Sequence, residues 1–173
     1  MQIQSPVLKT LRLSLRWLTP NDDEFMLRLL NDPGFIKNIG DRNVRTVEAA
    51  REYIEEKFIR QGYEKMGFGP FLVETSLAKQ PLGICSIVKR DSLEDIDIGY
   101  AFLPEHTGQG FALEASLEVM SYIKNTLKLK RIVAITNPDN TKSVILLQRL
   151  GLKFEKDLTL PEGQSKLFGL DFD

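Results

Sequence analysis

At 173 residues the chain has the length of one domain and can bury one core. Its 42% apolar and 27% charged content is that of an ordinary globular protein, and 23 basic against 24 acidic residues exclude a polybasic nucleic-acid surface or an acidic tail. A single cysteine, Cys85, excludes a disulfide framework and fits a reducing compartment. With no basic-then-apolar signal pattern and no apolar run near about 18 residues, the expectation is a cytoplasmic protein with no membrane partner.

Leu11, Leu13 and Leu15 alternate with Arg12, Ser14 and Arg16, which predicts a half-buried strand with its apolar face on odd positions. Thr19-Pro20 reads as N-cap and first helical position, and Asn21 to Glu24 suit the positive end of a helix. Phe25, Met26, Leu29 and Leu30 give that helix a core face, and Asn31-Asp32-Pro33-Gly34 stops it. Thr46 opens a second helix with Ala50, Tyr53, Ile54, Lys57 and Phe58 along one side. Gln61 to Gly69 reads as a glycine-containing loop. Strands are predicted near 68–74, 82–90 and 96–103, then a helix over 111–127 with Glu114, Glu118, Ser121 and Asn125 in one narrow polar line. A strand at 131–136, a helix from Asn140 and a terminal strand pair complete the order.

The organising stretch is Leu103 to Ala115, a strand exit, a turn carrying Gly108 and Gly110, and a helix start. Such a turn suits an anion, because glycine lets backbone approach a ligand and the first helical N–H groups point at it. No Lys-Ser/Thr follows Gly110, which argues against a P-loop. Leu113 stands where a dinucleotide fingerprint wants its third glycine.

A second element follows the 131–136 strand: Asn137-Pro138-Asp139-Asn140-Thr141-Lys142-Ser143, then Leu150-Gly151-Leu152. Together with the opening Leu11 to Asp22, these stretches resemble the GNAT superfamily of N-acetyltransferases, specifically its RimJ/RimL-like branch, over nearly the whole chain. The resemblance implies a mixed α/β fold with a mostly antiparallel, twisted sheet of about seven strands and helices on both faces. It also implies acetyl-CoA as co-substrate, a primary amine as acceptor (a protein N-terminus or a small amine), and direct attack within a ternary complex with no metal. The pyrophosphate loop then maps onto Thr107, Gly108, Gln109, Gly110, Phe111 and Ala112. The pantetheine arm maps onto the fourth strand's edge at Tyr100, Ala101, Phe102 and Leu103, where that strand splays from the next. No feature decides between monomer and homodimer.

Asp97 stands where that branch carries glutamate and is the candidate base, reaching the amine through water; the alternative is a strand carboxylate that, like Asp95, faces solvent. Glu74 is a lesser candidate, expected exposed at a strand end. Ser143 takes the family's position near the thiolate, as hydrogen-bond donor or acid, or is only a first-turn serine. Asn140 reads as N-cap, with indirect cofactor contact. Two departures stand out. Leu147 replaces the family's tyrosine acid, and Thr107 replaces the Arg or Gln that opens the loop. They sustain a rival reading, a non-catalytic acyl-CoA-binding module. His106, the only histidine, reads as a surface group beside the loop, and Cys85 as a small core residue. The resemblance places the acceptor cleft between 35–40, 62–68 and 160–164.

Overall fold

The opening alternation becomes a strand only from its second apolar position. In the computed structural model, which describes residues 4–173, β1 (Leu8–Lys9) pairs antiparallel with β2 (Leu13–Trp17). Leu13, Leu15 and Trp17 are buried, whereas Leu11 sits in the tight connection and is 93% exposed. The Thr10 hydroxyl closes that connection by accepting the Leu13 N–H at 3.0 Å.

A 3-10 turn at Pro20–Asp22 leads into α1 (Asp23–Leu30), with the Asp22 carboxylate accepting the Thr19 N–H at 2.7 Å. The predicted stop holds, but Asp32 caps Phe35 and Pro33 occupies the first position of a further short helix, α2 (Pro33–Asn38). Helix α3 (Val47–Tyr53) begins at Thr46, whose hydroxyl accepts the Ala49 N–H. It then runs on as a π-helical stretch, Ile54–Glu64, and stays helical through residue 66. The loop expected over 61–69 is therefore mostly helix. Tyr63 supplies the reason: its ring stacks on Trp17 at 4.3 Å, and its hydroxyl accepts the Leu18 N–H and donates to the Pro70 carbonyl. The Trp17 and Leu18 contacts come from a distant part of the chain and carry no local signal.

The remaining strands are β3 (Pro70–Thr75), β4 (Pro81–Val88), β5 (Asp97–Phe102), β6 (Arg131–Thr136), β7 (Lys153–Leu160) and β8 (Gly163–Asp171). They form one sheet in the order β1-β2-β3-β4-β5-β6-β8-β7. Eight strands replace the expected seven because of the two-residue β1. All neighbours are antiparallel except β5 and β6, which run parallel and share a single rung, Asp97 opposite Val133. Beyond that rung the two strands part. Helices α4 (Phe111–Asn125) and α5 (Thr141–Arg149) cover one face, and α1 and the α3 extension cover the other. On the first face α4 buries Val119, Met120 and Ile123 against the sheet, each contributing about 1.5–3 kcal/mol.

Candidate active site

Where β5 and β6 part, a cavity of about 980 Å³ opens between the glycine turn, the start of α5 and the helices of the opposite face. Register decides what each side presents. Asp97, Gly99 and Ala101 pair with Val88, Ser86 and Ile84 and share the face covered by α1 and α3. Ile98, Tyr100 and Phe102 turn to the face of α4 and α5.

Gly108 and Gly110 adopt left-handed backbone, φ +76° and +81°, as a turn into a helix start requires. Gly110 is the N-cap of α4 and no side chain caps that end, so the Phe111, Ala112 and Leu113 N–H groups lack intrahelical partners. Arg12 braces the turn from the β1–β2 connection: it lies 4.4 Å over the Phe111 ring, donates to the Gln109 carbonyl at 2.9 Å and pairs with Glu114 at 2.6 Å. Burial works against the Glu114 charge, but hydrogen bonds from Thr10 and Arg12 outweigh it and hold the carboxyl below its ordinary value. Open space at Gly108, bare helix N–H groups, and Lys142 and Arg149 lining the same cavity from α5 fit the diphosphate of coenzyme A.

At the far wall Asn140 caps α5, its side-chain oxygen accepting the Ser143 N–H at 3.3 Å, as its position predicted. The Ser143 hydroxyl lies 2.7 Å from the Tyr100 hydroxyl, and both residues line the cavity. Burial pushes the Tyr100 phenol up to about 12, with the Ser143 contact acting in the opposite direction. Leu147, one turn along α5, is buried and presents only carbon to the cavity. The phenol on the cavity wall beside Ser143 therefore comes from β5 and not from α5. Tyr100 was expected to contribute backbone, and its side chain carried no sequence signal because its partner is 43 residues away.

Asp97 is 1% exposed, so it does not face solvent. Its Oδ2 accepts from Arg90 Nε at 2.6 Å, and its Oδ1 is buried without a hydrogen-bond partner among the described residues. Burial raises its pKa, opposed by the charge and hydrogen bond of Arg90. Arg90 lines the cavity; Asp97 lies behind it. Asp95 is also not simply solvated, since it pairs with Arg131 at 2.9 Å. Glu74, expected exposed, is 5% exposed between Arg16 and Lys79, because β2 packs alongside it.

Of the other expected positions, Ala101, Phe102, Thr107, Gly108, Gly110, Phe111, Ala112 and Asn140 line the cavity. Leu103 and Gln109 do not: Leu103 is buried against the α1 core, and the Gln109 amide turns back to the Glu105 carbonyl. Thr107 donates to the Pro104 carbonyl, and His106 is partly buried on the cavity wall. Cys85 is fully buried beside Ser116, its thiol pushed up to about 12 by burial, a core residue as expected. All three acceptor stretches reach the wall, through Phe35 to Gly40, through Gly62, Met66 and Phe68, and through Glu162. Arg42, Tyr53, Lys57 and Arg90 line it as well. Lys57 had a signal, a lysine on the apolar side of its helix; Arg42 and Arg90 had none.

A parallel strand pair splayed inside an antiparallel sheet, with a glycine turn opening a helix at its mouth, defines an acyl-CoA-dependent transferase fold. A family model described as the acetyltransferase (GNAT) domain matches residues 12–153, and the chain belongs to that family. It is 30% identical over 158 residues to the uncharacterized N-acetyltransferase YoaA of Bacillus subtilis, covering 87% of this chain and 84% of that protein. The ribosomal protein uS5-alanine N-acetyltransferase of Escherichia coli is 33% identical over half of this chain and 47% of its own length, which places the chain near the RimJ/RimL-like branch. Among solved structures, RimL, a ribosomal alpha-N-protein acetyltransferase in complex with coenzyme A, superposes with a TM-score of 0.83 at 16% identity, covering 97% and 99% of the two chains. No helix among the described residues is long and apolar enough to cross a membrane.

Proposed function

We propose that the chain transfers the acetyl group of acetyl-CoA to a primary amine, a protein N-terminal α-amine or a small-molecule amine, by direct attack in a ternary complex. The observation that carries this reading is the continuous cavity joining the glycine turn to the Tyr100–Ser143 pair through the gap between β5 and β6. The backbone of residues 107–112 holds the diphosphate, and the free edge of β5 at Tyr100 to Phe102 aligns the pantetheine arm. Acetyl-CoA supplies an activated thioester.

Each remaining step belongs to the chain's own groups. Tyr100 and Ser143 Oγ share a hydrogen bond in which either hydroxyl can donate; with Tyr100 as donor, the serine hydrogen is left to meet negative charge developing at the wall of the cavity. Asp97 is the base in this reading, and because it lies behind Arg90 and not on the cavity wall, the amine's proton reaches it over a water relay that passes the Arg90 guanidinium. An α-amine, with a pKa of about 7.7–8.0, meets this demand more easily than a lysine at about 10.4.

The first test is the melting temperature with acetyl-CoA, with ATP and NAD as controls. At 100 times Kd the ligand adds about 2.7 kcal/mol, a rise of roughly 5–10 °C. The second is release of coenzyme A thiol on adding amines. A rise without thiol release from any amine describes a binding module instead, and no rise removes the coenzyme reading altogether.

A further inference from the structure

The chain as a whole carries a net charge of −1, yet its cavity wall is basic. Lys142 and Arg149 belong to α5, beside Ser143, on the side of the coenzyme. A second group, Arg42, Lys57 and Arg90, comes from the α2–α3 connection, the α3 extension and the end of β4, all over the opposite face. Arg90 sits against Asp97 at the closed end of the gap, and β5 separates it from the glycine turn by about 16 Å at roughly 3.3 Å per residue. That is too far for it to serve the diphosphate.

Arg42, Arg90 and Tyr53 line the same cavity. Both arginines lie close enough to the Tyr53 hydroxyl for their charges to favour its ionised form, although burial acts first and outweighs them. Lys57 follows Tyr53 by one helical turn and also reaches the cavity. Among the described residues neither Arg42 nor Lys57 has a carboxylate within 4.0 Å, and Arg90 spends only its Nε on Asp97. The nearby acids are occupied: Asp32 caps α2, and Asp41 pairs with Arg45. Glu162, from the β7–β8 turn, is the other acid on the wall. Two guanidinium forks, a lysine and a phenol around one end of a cavity make a receptor for an oxyanion. Cations at this place also favour the neutral form of a nearby amine, which is the form that attacks.

We infer that the acceptor half of the cavity binds an oxyanion through Arg42, Lys57 and Arg90, so that the amine acetylated carries a carboxylate or phosphate near its amino group. The inference rests on the acetyltransferase reading above and narrows its acceptor. A polyamine, all positive, is disfavoured in the same place.

The test uses matched pairs of amines with saturating acetyl-CoA: free L-amino acids against their carboxamides, O-phosphoethanolamine against ethanolamine, and spermidine as a polycation. Thiol release gives kcat/KM for each. The expected result is a preference of about 10–100-fold for the oxyanion member of a pair, the value of one charge-assisted hydrogen bond. The carboxylate and phosphate pairs tell the two sources apart. Arg42→Gln and Lys57→Gln should each cut that preference about tenfold or more, on the same scale, while leaving the acetyl-CoA-induced rise in melting temperature intact. Equal or better turnover of carboxamides, ethanolamine or spermidine overturns the inference, as does failure to turn over any oxyanion amine while acetyl-CoA still stabilises the chain. Loss of that stabilisation in the unsubstituted protein is the separate failure of the coenzyme reading.

Discussion

Tyr100 and Ser143 divide one task between two elements. A thiol ionises near about 8.5, so a phenol held at about 12 keeps its proton when a thiolate forms beside it and acts by hydrogen bonding. The mobile hydrogen is then the serine's. Ser143→Ala should lower kcat by about 10–100-fold with little change in the KM for acetyl-CoA, and Tyr100→Phe should produce a smaller loss of the same kind, read by thiol release. Equal rates in all three proteins would leave the pair a packing contact. Asp97 makes a prediction about pH. Its ordinary value is 3.8 and burial raises it in the fold. As pH climbs from the unfolded value through the raised one, the unfolded chain ionises first and the native state loses stability. The contribution of Asp97 to stability should therefore fall across that acid window, against the rise from carboxyls such as Glu114 that are held below their ordinary value, so Asp97→Asn should make the melting temperature climb more steeply with pH; an unchanged slope in the variant would assign it to other groups. Ser143 and Asn140 were legible in the sequence because a helix start is a local motif. The Tyr100 hydroxyl and the Arg90 partner of Asp97 were not, since each depends on strand register that no single stretch records.

The glycine turn can be dissected by comparing its two glycines. Gly110 at φ +81° has Arg12 Nη2 only 3.3 Å from where a Cβ would stand, whereas Gly108 at φ +76° opens onto free space. Either change to alanine costs about 1–2 kcal/mol of backbone strain. Gly110→Ala must also displace the arginine that braces the loop, so calorimetry should show the greater loss of acetyl-CoA affinity there; equal losses would mean that strain alone matters. At the other end of the sheet, Tyr63→Phe strips the Leu18 N–H of its buried acceptor and the Pro70 carbonyl of its donor. The expected cost is about 1–3 kcal/mol, a fall in melting temperature of roughly 2–10 °C. A fall of less than a degree would show that water replaces the hydroxyl. Periodicity revealed the strands and most helices here because it is a property of neighbouring residues. It failed over 61–69, where a glycine-containing helix end is held by a stacked tryptophan, and at Leu11, which continues an alternating pattern past the point where the chain turns.

The whole sheet is pinned at one corner by Arg131, which opens β6 and reaches Asp95 before β5, Glu155 on β7 and Asp171 on β8. Its guanidinium pKa is raised by the hydrogen bonds it donates to Glu155 and Asp95. Gly169 keeps the space beneath this network, since a Cβ there would meet Glu155 Oε1. Arg131→Met should cost about 1–2 kcal/mol, roughly 2–8 °C in melting temperature, with much of the difference vanishing in high salt. A salt-independent loss would point to packing of the aliphatic stem instead.

The single rung between Asp97 and Val133 carries a further consequence. Main-chain hydrogen bonds bind β1 to β5 into one plate and β6 to β8 into another, and almost none cross between them. What joins the plates, besides the Arg131–Asp95 ion pair, is a shared apolar core that holds Ile98 and Ile87 from one and Ile132 and Phe168 from the other beneath α4 and α5. Hydrogen bonds resist bending sharply, while apolar contacts tolerate small rotations without losing most of their contact area. The molecule is built like a hinged pair of boards glued along one side. The gap between them is also the line along which main-chain hydrogen bonds offer the least resistance to bending.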